Sequence, residues 1–274
     1  MGRDRHGLWA EFEYRGVRQR LRWIPPGRFQ MGSPGDEPGR MEREGPQHEV
    51  TLARGYWLFD TPVTQALWMA VMGDNPARFQ SPTRPVEQVD FVATKQFIDR
   101  INATVPALGL VLPSEAQWEY ASRAGTQTAL YSGSIDILGV NNAPALDSIA
   151  WYGGNSGVGF ELDNGVDVTG FSDRQYPQYK KAGTHPVKGK APNPWGLYDM
   201  LANVWEWTED GWHENYAGAP NDGAVWEGKA GGLRVVRGGS WYDYARNVRC
   251  AIRYHSHPGS RDGLLGFRCA RVQA

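Results

Sequence analysis

The abundance of glycine is the sequence feature that most limits how this chain can fold. The chain has 34 glycines in 274 residues, and they follow no repeating period. Because glycine readily adopts backbone conformations that interrupt helices and strands, this number predicts many turns and few long helices. Two cysteines are too few for a disulfide framework in a chain of this length. The sequence therefore predicts a loop-rich globular protein held together by packing.

The balance of charges excludes several classes of partner. The chain has 29 Lys and Arg residues against 30 Asp and Glu residues, which argues against bulk electrostatic binding to nucleic acid or to a membrane surface. It contains no run of about 18 apolar residues that could cross a bilayer, and residues 1–16 lack the apolar core of a secretory signal. We therefore expect no nucleic-acid partner, no membrane insertion, and a location in the cytoplasm or in a phage particle.

Short strands and three helices are predicted from local patterns. Each helix has a start signal: Thr64 and Asp90 are candidate N-caps, and Ser114 with Gln117 forms a capping box. No helix signal follows Gly125. The predicted strands are residues 21–24, 29–31, 49–52, 56–59, 148–152, 196–198 and 233–236. Since no repeat or linker interrupts these patterns, a single domain over residues 1–274 is expected.

Several motifs, in order along nearly the whole chain, carry a family resemblance. They include FQMGS at 29–33, LPSEAQWEYA at 112–121, PNPWGLYDM at 192–200, NVWEW at 203–207, RGGSW at 237–241 and GFRC at 266–269. Together they resemble the formylglycine-generating-enzyme family, also called the sulfatase-modifying-factor family. The resemblance implies an α+β, C-type-lectin-like fold with little regular secondary structure, few helices and short antiparallel strands.

The catalytic cysteine pair that this resemblance implies is missing. Family enzymes oxidise a substrate cysteine using copper held by two cysteines shortly after the Gly-Gly-Ser motif. Here no cysteine follows Ser240 until Cys250, and Cys250 and Cys269 match two non-catalytic family cysteines. Because a soft-metal site needs thiolates in place, we expect that chemistry to be absent. His255 and His257 could hold a metal only if both point the same way, and two surface imidazoles are the favoured interpretation.

The C-terminal segment, residues 237–271, resembles the variable region of proteins diversified by retroelements. Adenine-directed mutation of Asn codons in such elements yields Tyr, Asp, His, Ser, Ile, Leu and Gly, but not Lys, Glu, Gln, Met or Trp. None of these last five occurs from Tyr242 to Val272. The residues predicted to vary and to contact ligand are Tyr242, Asp243, Tyr244, Ile252, Tyr254, Ser256, His257, Ser260, Asp262, Gly263 and Leu264. An ordinary polar loop surface is the alternative interpretation.

Two sets of carboxylates outside this segment have their own predictions. Asp199 and Glu206 resemble a family calcium site, completed by the backbone carbonyls of Ala202 and Val204, and hard oxygen ligands suit Ca²⁺. The alternative is that both acids are solvated or bonded to nearby backbone. Glu115 and Glu119 lie one helical turn apart, and we expect both to be solvated at the start of a helix.

Two functions remain as hypotheses. The first is a non-enzymatic protein that binds an unknown protein or cell-surface ligand through a retroelement-diversified C-terminal surface. Tyrosine with Ser and Gly is the chemistry of an adaptable paratope, in which tyrosine provides large contact area at low entropic cost. The alternative is a formylglycine-generating or related metal-dependent, sulfur-oxidising enzyme.

Overall fold

The computed structural model describes residues 1–160 and 162–272. Regular elements within these residues are short and separated by long irregular segments. The strands are β1 (Gly2–Asp4), β2 (Gly7–Tyr14), β3 (Val17–Ile24), β4 (Gly27–Met31), β5 (His48–Leu52), β6 (Tyr56–Phe59), β7 (Val166–Asp167), β8 (Lys181–Ala182), β9 (Trp205–Gly211), β10 (Arg234–Arg237), β11 (Arg253–Ser256), β12 (Leu265–Phe267) and β13 (Ala270–Val272). The helices are α1 (Gln65–Met72), α2 (Phe91–Thr104) and α3 (Glu115–Arg123).

The strands form two sheets and two β-ribbons. A five-stranded antiparallel sheet has the order β1-β2-β3-β6-β13. A four-stranded sheet has the order β11-β10-β9-β12, in which only β9 and β12 are parallel. Aromatic contacts join α1 and α2 to this second sheet, since Phe97 stacks on Trp68 at 5.5 Å and meets Phe267 at 5.3 Å. Few helices and short, mostly antiparallel strands confirm the predicted α+β fold.

The helix starts confirm the capping predictions. The side chains of Thr64 and Asp90 accept hydrogen bonds from the first turns of α1 and α2, and Ser114 and Gln117 form the reciprocal capping box of α3. These contacts satisfy backbone N–H groups that have no partner within the helix. The longest helix, α2, has 14 residues. Among the described residues no helix combines the length and apolarity that a membrane crossing requires.

Two of the predicted strands are absent. Residues 196–198 follow a turn at 194–195 and form no strand; the side chain of Asn193 accepts a hydrogen bond from the Leu197 N–H at 3.1 Å, in place of a strand partner. Residues 148–152 continue a 3₁₀ turn, Pro144–Leu146, and Trp151 makes only a single bridge to Ala202. Four of the other predicted strands lie within β3, β4, β5 and β6, and the fifth, residues 233–236, overlaps β10 from residue 234.

The C-terminal segment, residues 237–271, runs through both sheets. It begins at the end of β10, contains β11 and β12, and enters β13. Sheet pairing therefore fixes its backbone at several points. The two stretches between these points, residues 238–252 and 257–264, contain no strand. All eleven residues predicted to contact ligand lie on these loops or on β11.

Candidate ligand-binding site

Four arginines of the C-terminal segment are completely buried, and we call them the frame arginines. They are Arg237, Arg249, Arg253 and Arg268. Each pairs with a carboxylate from outside the segment; Arg268, for example, donates to both oxygens of Glu206 at 2.7 Å. Because a buried charge is costly unless it is paired and hydrogen-bonded, these contacts hold the segment tightly against the rest of the fold.

Glu115 and Glu119 are partners of these arginines, which corrects the prediction that they are solvated. Glu115 accepts from Arg253 at 2.8 and 2.9 Å and from Arg237 at 3.1 Å. Glu119 accepts from Arg237 at 2.6 Å and from Arg123 at 2.9 Å. Both carboxylates are buried. The prediction was wrong because Arg237 and Arg253 are about 120 to 140 residues away in sequence and only the fold brings them to α3.

Six of the predicted ligand contacts line one cleft of about 400 Å³, which we call the binding cleft. These six are Tyr242, Asp243, Tyr244, Ile252, Tyr254 and Leu264. Its three tyrosines are 39%, 44% and 45% exposed, in chain order. The other lining residues, which sequence reasoning did not single out as ligand contacts, are Met41, Arg43, Trp205, Arg246 and Asn247. Met41, Arg43 and Trp205 are distant in sequence from the segment, so no local pattern could have indicated them.

The remaining five predicted contacts do not line the cleft. They are Ser256, His257, Ser260, Asp262 and Gly263. The loop that carries most of them packs on the residues before and at the start of α2. The Asp262 carbonyl accepts from the Gln88 N–H at 2.9 Å, and the Pro258 carbonyl accepts from the Phe91 N–H at 3.0 Å. The structure therefore separates the predicted contacts into a cleft group and a loop group.

Three of the residues predicted to contact ligand are buried or hydrogen-bonded within the protein instead. Ile252 is 1% exposed at the floor of the cleft, and Gly263 is buried. The Gly263 carbonyl accepts from the indole N–H of Trp241 at 2.9 Å. The carboxylate of Asp243 accepts from the indole N–H of Trp205 at 2.8 Å and from Asn247 at 3.0 Å. Burial raises the pKa of Asp243. A ligand therefore finds the side chain of Ile252 covered and the carboxylate of Asp243 already bound.

The residues of the predicted calcium site do not fit a calcium ion. The predicted ligands are Asp199, Ala202, Val204 and Glu206. Both oxygens of Glu206 are bound by Arg268, and one also accepts from the indole N–H of Trp118 at 2.7 Å. One oxygen of Asp199 accepts from the backbone N–H of Lys188 at 2.9 Å, and burial raises the Asp199 pKa to about 6. A Ca²⁺ ion needs six to eight oxygen ligands. The positively charged guanidinium of Arg268 occupies both oxygens of Glu206, so this carboxylate has none left to coordinate the ion.

Both cysteines are free and completely buried. Burial raises the pKa of the Cys250 thiol and of the Cys269 thiol, which keeps both protonated at neutral pH. Cys250 is hydrogen-bonded to the Ser122 hydroxyl at 3.6 Å. Within the described residues no group of three or more His, Cys, Asp or Glu side chains is placed to hold a metal ion.

Comparison with known protein families gives one match over nearly the whole chain. The family described as "Sulfatase-modifying factor enzyme 1-like domain" matches residues 13–273. The mouse formylglycine-generating enzyme is 32% identical over 230 residues, which cover 81% of this chain and 53% of that protein. The bovine enzyme is also 32% identical, with 52% of its length covered. The chain thus spans about half the length of these curated relatives.

Two of the solved structures that are similar to this chain match it about equally well. Treponema denticola variable protein 1 has a TM-score of 0.75 and 28% sequence identity, with 96% of this chain and 99% of that chain covered. PvdO from Pseudomonas aeruginosa has a TM-score of 0.76 and 28% identity, with 96% and 97% covered.

Proposed function

Because the chain belongs to the sulfatase-modifying factor enzyme 1-like family and its scaffold is similar to that of a variable protein, we propose that it is a non-enzymatic ligand-binding protein. Its binding surface would be the C-terminal segment, residues 237–271, diversified by a retroelement. The ligand would be a protein or another molecule on a cell surface.

One observation carries this proposal: three exposed tyrosines share a single cleft whose backbone is held by buried ion pairs. Tyr242, Tyr244 and Tyr254 line the binding cleft, and the frame arginines lie between and around them in sequence. Tyrosine presents a large amphipathic surface with only two side-chain torsions, so it loses little entropy on binding. Affinity would come mainly from these anchors.

The state of the cysteines supports binding over the oxidase alternative. Copper bound by two thiolates requires accessible sulfur ligands, whereas Cys250 and Cys269 are buried and carry raised pKa values. The alternative is tested by supplying copper, oxygen and a cysteine-containing peptide and measuring peptide aldehyde by mass spectrometry. No turnover at saturating copper is expected. Copper-dependent aldehyde formation that a Cys250→Ala variant abolishes would favour the enzyme.

Diversification itself is tested by sequencing the gene, its surrounding DNA and sibling copies of the gene. The proposal expects a near-repeat of the region that encodes residues 237–271, with differences only at template adenines, beside a reverse transcriptase gene. The cleft codons for Tyr242, Tyr244 and Tyr254 should be among those that differ, while the codons for the frame arginines should not. Codon changes spread evenly over residues 237–271 would contradict diversification.

A further inference from the structure

The binding cleft carries two arginines outside the set predicted to vary. Arg43 comes from the 3₁₀ turn Glu42–Glu44, and Arg246 from the turn Ala245–Asn247. Among the described residues neither guanidinium forms an ion pair. Arg43 is half-buried, donates to the thioether of Met41 at 2.6 Å, and lies 4.9 Å from the ring centre of Tyr254. The cleft therefore contains two guanidinium groups without an ion pair among the described residues, and the one carboxylate that lines it, Asp243, is hydrogen-bonded to Trp205 and Asn247.

The nearby carboxylates are already bound by other groups. Asp243 accepts from Trp205 and Asn247, as described above. Glu44, adjacent to Arg43 in sequence, is held by Arg249 at 2.8 Å. Burial lowers the pKa of Arg43; Tyr254 and Glu44 partly oppose this, and the positive charges of Arg253 and Arg246 add to it. An anion from outside would relieve this unfavourable environment, because a partly desolvated charge gains most from a charged hydrogen-bond partner.

An apolar groove of about 890 Å³ continues from the cleft and shares Tyr244 and Arg246 with it. Leu138, in this groove, is 68% exposed. Asp136 and Asp173 also line the groove, so a second acidic group would be repelled there. A polypeptide can place a large aliphatic or aromatic side chain beside a carboxylate, whereas acidic sugars carry at most small acetyl or lactyl methyl groups there, which would leave most of this groove empty. The combination of groove and cleft therefore favours a polypeptide.

We propose that the binding cleft receives an acidic side chain of a polypeptide ligand, whose carboxylate is bound by Arg43 and Arg246 while a neighbouring apolar side chain enters the groove at Leu138. This inference rests on the proposed function and specifies its ligand class. Because the two arginines lie at positions that are not predicted to vary, diversified siblings would share the preference for an acidic residue, and the tyrosine positions would select its surroundings.

The test is selection of a random peptide library, displayed on phage, against the immobilised full chain. Peptides that bind are then synthesised and measured by isothermal titration against four proteins: the unchanged chain, the double variant R43Q/R246Q, the variant Y254S, and the control R54Q. Arg54 is exposed and has no side-chain hydrogen bond or ion pair among the described residues. Melting temperatures of all four proteins establish that each is folded.

Enriched peptides should carry Asp or Glu next to an apolar residue. R43Q/R246Q should weaken them about tenfold or more, equal to about 1.4 kcal/mol or more, and R54Q should leave affinity unchanged. Affinity should also fall as salt concentration rises.

Peptides that need Tyr254 for binding, but contain no acidic residue and bind R43Q/R246Q as well as the unchanged chain, would overturn the ligand class and leave the proposed function intact. Peptides indifferent to Y254S would count against the proposed function. If no peptide is enriched but glucuronate oligomers bind and need Arg43, the proposal of a polypeptide ligand is overturned in favour of an acidic glycan.

Discussion

Arg253 and Tyr254 are neighbours on β11, yet they belong to different parts of the molecule. Arg253 is completely buried and its guanidinium binds Glu115, whereas the ring of Tyr254 is exposed in the binding cleft. Successive side chains on a strand point to opposite faces. This alternation lets one residue hold the fold while the next faces a ligand, so the two roles can be combined within a few residues of chain.

The same contrast extends over residues 237–271. The frame arginines connect the segment to α3, to β9 and to the loop before β5 through buried ion pairs. The cleft tyrosines make aromatic contacts but leave much of their surface exposed. If the two groups are separate in energy as well as in space, substitutions in one should affect stability and substitutions in the other should affect binding.

The largest expected effect is the loss of a frame arginine. Arg268→Met leaves the buried carboxylate of Glu206 with Trp118 as its one remaining side-chain partner. Breaking a buried ion pair in this way costs about 3–5 kcal/mol of unfolding free energy. Urea denaturation followed by tryptophan fluorescence measures the change, with R54Q as the surface control. A change below about 1 kcal/mol, typical of a surface ion pair, would show that the frame does not hold the segment.

The second largest effect on stability is expected at Ile252, where the structure and the sequence prediction disagree. Ile252 was predicted to contact ligand but is buried at the floor of the cleft. Ile252→Ala should therefore destabilise the chain by about 2–5 kcal/mol, as truncation of buried aliphatic side chains does. The same denaturation experiment decides the matter. An unchanged midpoint would return Ile252 to the group of freely variable positions.

A smaller effect on stability is expected at an exposed tyrosine. Tyr254→Ser removes ring contacts with Trp205 and Arg43 but exposes no buried polar group. The unfolding free energy should change by about 0.5 kcal/mol, the range of ordinary surface substitutions. Binding of a selected peptide should weaken by about 2 kcal/mol or more if the ring is an anchor. A loss of stability as large as that of Arg268→Met would show that the cleft tyrosines contribute to stability as much as the frame arginines do.

The smallest effect is expected from calcium. Since Arg268 occupies both oxygens of Glu206, millimolar Ca²⁺ should not raise the melting temperature of the chain. A ligand that binds only the folded state raises its stability with the logarithm of the ligand concentration. Melting temperatures measured by calorimetry at increasing Ca²⁺ concentrations therefore detect binding. A saturable increase that an Asp199→Asn variant removes would restore the calcium site predicted from the sequence.

Local signals in the sequence identified the helices but not the ion-pair frame. Thr64, Asp90 and Ser114 cap their own helices, so the information lies within a few residues. Strand β9 was missed because its sequence, WEWTEDG, is buried on both faces and does not alternate, and its Glu206 and Asp210 suggest exposure.

The candidate site shows the same limit. The resemblance of the segment to a diversified variable region indicated the cleft tyrosines, and tyrosine with Ser and Gly is typical of binding surfaces. It could not separate Ile252 from them, since burial depends on what packs above a residue. Nor could it indicate Arg43, which lies about 200 residues from the segment and meets it only in the fold.

The central claim, that fold and binding are separate within residues 237–271, is tested most directly by a saturation library over this segment. Each substitution is displayed on yeast and sorted by resistance to protease, which reports folding without reference to any ligand. Substitutions at Tyr242, Tyr244 and Tyr254 should be tolerated broadly, and those at the frame arginines should be lost almost entirely. Equal tolerance at the two sets of positions would contradict the claim.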